Sequence, residues 1–116
     1  MILEGLWVPF IINDFSVEKV KSFILKDIEY KQKKEQYNLE LWMFGSALNK
    51  KNPNDIDILL LYPIETKDIK GIYEFKQYFK SNMEKYFNID VDILLLSYEE
   101  ENEINFKVKE NCIFLF

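Results

Sequence analysis

Two aspartates one residue apart, Asp55 and Asp57, open the apolar run Ile58-Leu59-Leu60-Leu61. On a strand, side chains at i and i+2 leave the same face, so both carboxylates can reach one point, with their Cα atoms about 7 Å apart. A second apolar stretch, Leu41-Trp42-Met43-Phe44, ends in Gly45-Ser46, and a short loop then leads to Asp55. Hard oxygen ligands converging beside a turn with free backbone N–H groups suit a magnesium–triphosphate complex. The bland alternative is a tight turn followed by an edge strand with solvated aspartates.

Two absences narrow the chemistry. All 15 basic residues are lysine, and histidine is missing. That removes histidine general bases, Ser-His-Asp and Cys-His triads, His-containing zinc sites and any arginine finger from this chain. Carboxylates and backbone donors remain, and metal-dependent phosphoryl or nucleotidyl transfer needs little else. The net charge of −5 argues against direct nucleic-acid binding. One cysteine, Cys112, excludes an internal disulfide and fits a reducing, cytoplasmic setting. No segment is long and apolar enough to span a bilayer, so no membrane role is expected.

At 116 residues with 48% hydrophobic content, the chain is expected to form a single domain with one core. Residues 1–15 read as an apolar N-terminal arm with Pro9 blocking a helix, and 16–116 as the catalytic core. Ser16 is a candidate N-cap for a first helix running to about Tyr37, with Val17, Val20, Ile24 and Ile28 at helical spacing. Leu39–Phe44 reads as a strand, Ser46–Asn49 as a short helical turn, and Asp55–Tyr62 as a second strand ended by Pro63. A long helix over Thr66–Phe87 would bury Ile69, Ile72, Tyr73, Phe79, Met83 and Tyr86. A third strand, Ile89–Leu96, carries Asp90 and Asp92. Ser97 and Glu100 form a capping box for a last helix of about ten residues. The tail, 112–116, reads as a buried strand or packed tail. No internal repeat or interdomain linker is apparent.

These pieces predict an α/β (α+β) fold: a small mixed sheet of at least three strands flanked by helices. The runs Ile58–Leu61 and Ile93–Leu96 are continuously apolar, as in strands covered on both faces. A helix-length connection between the second and third strands allows a parallel pair, while the short Gly45–Asn54 link favours an antiparallel one. Parallel alignment sets a third carboxylate beside Asp55 and Asp57. Asp92 and Asp90 share a strand face, and a register shift of two exchanges them.

The strand, Gly-Ser, short loop and Asp-x-Asp strand resemble the nucleotidyltransferase superfamily typified by DNA polymerase beta. The resemblance runs from about Ser16 to Phe116 and is most similar to the minimal nucleotidyltransferase (MNT) group, which lacks a helical substrate domain. Its third strand carries an aspartate in the context Val91-Asp92-Ile93-Leu94, which selects Asp92 over Asp90. Where the group usually continues Ala-Arg-Gly after Gly-Ser, this chain has Ala47-Leu48-Asn49-Lys50. Lys50 or Lys51 then takes over the positive charge near the triphosphate, as a point charge rather than a fork.

The resemblance implies the nucleotidyltransferase fold, with Asp55, Asp57 and Asp92 holding two magnesium ions. Gly45, Ser46 and Lys50 would meet a nucleoside triphosphate, with ATP the expected donor. Gly45 would clear the way for phosphate, and Ser46 with the following N–H groups would bind it. It also implies a partner, a helical HEPN-type toxin encoded nearby, whose hydroxyl would accept a nucleoside monophosphate from this antitoxin. The alternatives are an inactive protein of the same fold that neutralises a partner by occlusion, and a transferase acting on a small molecule such as an antibiotic. A homo-oligomer is compatible with the sequence.

Overall fold

The computed structural model describes residues 15–50 and 52–116. The expected N-terminal arm, apart from Phe15, and Lys51 lie outside the described residues. Among the described residues no helix is long and apolar enough to cross a membrane.

Ser16 caps the first helix, α1 (Val17–Leu25), its side chain accepting the Lys19 N–H at 3.2 Å. The helix does not continue to Tyr37. Asp27 turns extended, its carboxylate accepts the Glu29 N–H at 2.9 Å, and a new helix, α2 (Ile28–Tyr37), begins. A short acidic side chain that bonds the main chain two residues on competes with helix propagation, and here it wins. The break resets the helical face: Val20 and Ile24 are buried, whereas Ile28 is 73% exposed.

β1 (Glu40–Phe44) and a 3-10 turn (Ser46–Asn49) lead to β2 (Asp55–Tyr62). The helix α3 (Ile69–Phe87) starts later than Thr66 because Asp68, not Thr66, caps it, accepting the Gly71 N–H at 3.0 Å. Ile72, Phe79 and Met83 are buried as expected, joined by Phe75. Ile69, Tyr73 and Tyr86 face outward instead, because a four-residue stripe covers the sheet and the flanking positions overhang it.

β3 (Asp90–Ser97) follows, and Ser97 forms the expected capping box with Glu100 at the start of α4 (Tyr98–Ile104). The last helix divides at Asn105, whose left-handed backbone ends α4 and admits a short α5 (Phe106–Lys109). Asn38 and Asn88 end α2 and α3 in the same conformation, which asparagine adopts more readily than other non-glycine residues.

The four strands form one mixed sheet in the order β3-β2-β1-β4, with β4 spanning Ile113–Phe114. β1 runs antiparallel to β2 and to β4, and β2 parallel to β3; the short β1–β2 link and the helix-length β2–β3 connection match their pairings. On one face, Leu41, Met43, Ile56, Ile58, Leu60 and Val91 share a core with residues of α1, α2 and α3. On the other, Phe106 meets Phe44 edge-on at 5.0 Å and Lys107 lies 4.6 Å over the Trp42 ring.

Ile58–Leu61 is buried throughout, as a strand covered on both faces should be. Its counterpart in β3 is not: β3 lies at the sheet edge and Leu94 is exposed. The tail is likewise an exposed edge, with Ile113 and Phe114 in solvent and only Leu115 buried. Against the expectation of no internal repeat, the parallel pair contains a short one. Asp55–Tyr62 and Asp90–Ser97 read DIDILLLY and DVDILLLS, and they pair residue for residue without a shift.

Candidate active site

The site is built where β1 ends and β2 and β3 begin. Asp57 pairs with Asp92, and Asp55 with Asp90, in the parallel ladder. Registered residues of neighbouring strands share a face, as do alternate residues of one strand, so all four carboxylates leave the same side of the sheet. It is the side opposite α1, α2 and α3, because Ile56 and Val91 between them point into that core. The expected assembly of a third carboxylate beside Asp55 and Asp57 therefore follows from strand order, with Asp92 directly across from Asp57.

Asp57 is the central member. Its carboxyl is held above the usual carboxylate range, first by burial and then by the negative charges of Asp55 and Asp92. Asp90, a step further toward the start of the strand, does not figure among these influences. Part of the burial has an identifiable source: Phe44 is the registered neighbour of Asp57 on β1 and carries Phe106 against its ring. An apolar wall on one side raises the cost of an uncompensated charge on the other.

Gly45 follows β1 with φ 85° and ψ −168°, a backbone region open in practice only to glycine. A Cβ there would collide with Oδ2 of Asp57 and lie 3.2 Å from its Cγ. The glycine thus makes room for the Asp57 carboxylate itself, a role that its place before a helical turn does not reveal. Ser46 is exposed at the start of the 3-10 turn, which packs on β1 and β2 and is closed by the Leu48 N–H donating to Gly45 O at 3.3 Å. Lys50 stands exposed on extended backbone past that turn, and no ion pair ties it to the aspartates among the described residues. The structure thus gathers Asp55, Asp57, Asp92 and Gly45, sets Ser46 at their margin, and leaves Lys50 outside.

The donor set fits a hard divalent cation: carboxylate oxygens crowded on one face, with the charges of Asp55 and Asp92 adding to burial in raising the proton affinity of Asp57. Among the described residues no three acidic or cysteine side chains already close on one point as a finished cage would.

Phe44 and Phe106 are site residues that sequence patterning missed. Phe44 was legible as the strand residue before Gly45, but its distant partner carries no local signal. A family model for the nucleotidyltransferase domain matches residues 24–115, which includes every one of these positions. No curated protein and no solved structure matches the chain.

Proposed function

The chain belongs to the nucleotidyltransferase domain family, and on that basis we propose that it moves a nucleoside monophosphate from a nucleoside triphosphate, ATP by preference, to a hydroxyl, with Asp55, Asp57 and Asp92 as the metal-holding residues. The observation that carries the reading is the alignment of Asp57 with Asp92 on the face that also bears Asp55, beside a glycine turn.

In the reaction an acceptor oxygen attacks the α-phosphorus, the new P–O bond forms, and the bond to the bridging oxygen breaks to release pyrophosphate. Magnesium bound by the three aspartates would supply positive charge to the phosphate oxygens and lower the pKa of the acceptor hydroxyl. Asp92, on the solvent side of β3, takes up the hydroxyl proton. Ser46 and the backbone of the 3-10 turn orient the triphosphate, and Lys50 reaches its outer charges from the loop. The Phe44–Phe106 wall keeps water from one side of Asp57, strengthening the interaction of its charge with a bound cation.

The resemblance of the sequence to minimal nucleotidyltransferases supports the acceptor: a hydroxyl on a helical HEPN-type protein encoded alongside, whose toxicity the modification would end. Calorimetry with ATP and other nucleoside triphosphates, with and without magnesium, tests the donor site. Binding of no triphosphate in magnesium would defeat the reading. Mass spectrometry of the co-expressed partner tests the acceptor: a gain of one nucleoside monophosphate supports transfer, and silencing without any gain replaces it with occlusion.

A further inference from the structure

Val91 lies between Asp90 and Asp92 on an edge strand, with β2 on one side and, among the described residues, no further strand on the other. Main-chain groups alternate in direction along a strand, so those of Val91 point away from β2 toward the open edge. They are satisfied there by one pair of side chains from α3. Lys80 Nζ donates to Val91 O at 2.6 Å, and the Val91 N–H donates to Glu84 Oε2 at 3.0 Å. The two side chains are joined to each other at 2.7 Å, one helical turn apart. Lys80 first, and then the Val91 N–H, hold the Glu84 carboxyl below its usual range. The Val91 side chain is fully buried in the core. The residue is therefore fixed from the helix, from the core and, through its neighbours, from β2.

We infer that Lys80 and Glu84 are positioning residues for the reaction: by clamping both main-chain groups of Val91, they hold Asp92 in register with Asp57, so that the two carboxylates can share a cation. The inference rests on the functional reading above, since it assumes that these carboxylates bind metal. It goes beyond it by assigning part of the site's geometry to a helix on the far face of the sheet. The competing role is a plain edge guard, in which the pair keeps other strands off β3 and adds stability alone. A second competitor is the electric field of the two charges.

Manganese titration of the nucleotide-free protein, followed by electron paramagnetic resonance, separates these roles, with Asp57→Asn as the control. Lys80→Met and Glu84→Met should each weaken manganese binding about tenfold, the lower end for a lost outer-shell partner. A field effect would instead give opposite signs, tighter binding without the lysine and weaker without the glutamate. The double variant is charge-balanced, and binding weakened in it about as much as in either single variant marks the pair as one unit. Glu84→Gln keeps an acceptor for the Val91 N–H and should lose only about threefold, since a neutral bond replaces a charge-assisted one. Amide exchange at Val91 should speed up in Glu84→Met. Manganese affinity unchanged in variants whose melting temperature falls would overturn the inference and leave an edge guard. If the methionine variants do not fold, unchanged affinity in Glu84→Gln overturns it equally. Manganese binding that is absent in the parent protein, or that survives Asp57→Asn, would overturn the functional reading and this inference with it.

Discussion

Gly45 and Asp57 occupy adjoining space: a Cβ on the glycine would fall on the aspartate's carboxylate. The turn after β1 and the second aspartate of the Asp-x-Asp pair are therefore one steric unit, although eleven residues of chain lie between Gly45 and Asp57. Any change at either position is read through the other.

Gly45→Ala should destabilise the protein by about 2 kcal/mol, since its φ of 85° is open in practice only to glycine. The collision with Asp57 adds to this. In an Asp57→Ala background that second part disappears, so the two substitutions should couple favourably by about 1 kcal/mol. Urea denaturation of both single variants and the double closes the cycle.

Asp55→Asn, Asp57→Asn and Asp92→Asn should each lower single-turnover transfer by more than about a hundredfold, the upper range for losing a partner one layer further out. Asp90→Asn should keep substantial activity, because Asp90 pairs with Asp55 at the strand start and not with Asp57. None of the four should unfold the protein. Without metal, Asp57→Asn should melt no lower than the parent, because burial and two neighbouring carboxylates already disfavour its charge. Activity that survives Asp92→Asn but dies with Asp90→Asn would move the third ligand by two residues.

Tyr37→Phe should lose stability at neutral pH and match the parent in acid. The Tyr37 hydroxyl donates to Asp68 Oδ2 at 2.8 Å, and this bond, followed by the Gly71 N–H, holds the Asp68 carboxyl below its ordinary value. A depressed folded-state pKa contributes stability above the unfolded value, and that contribution is lost as pH falls through the folded one. The gap between the two melting curves should therefore close across the acidic limb.

Glu101→Ala should cost about 2 kcal/mol, the scale for losing a hydrogen bond to a charged group. Glu101 is buried, accepts the Lys107 N–H at 3.0 Å, and stands 3.8 Å from Lys107 Nζ, which in turn lies over Trp42. Its loss should loosen α5 from the sheet. A change in Trp42 fluorescence at a lower urea midpoint is the expected signature.

The sheet was legible in the sequence where the signals were local. The bounds of β2, the Ser16 cap and the Ser97–Glu100 box agree with the reading, and a helix-length connection correctly made β2 and β3 parallel. Asp27 broke the first helix against its periodicity because one side-chain bond outweighed a hydrophobic spacing that continues through Ile28. Ile93–Leu96 was expected to be covered on both faces because it is continuously apolar, yet strand order, a non-local property, set β3 at the edge with Leu94 exposed. Within the site, the aspartates could be read from spacing. The clearance at Gly45 and the clamp on Val91 could not, since each joins residues that meet only after the sheet is assembled.

The repeat shared by β2 and β3 has a consequence for how the chain finds its fold. To β1, the two octapeptides offer nearly the same row of side chains, so composition alone does not decide which of them becomes its neighbour. The decision falls to chain entropy: the ten-residue link from Phe44 to Asp55 closes sooner and at lower cost than a loop that must also span α3. Lengthening that link with a flexible insert would erode the advantage and let β3 dock first, trapping molecules with the two strands transposed.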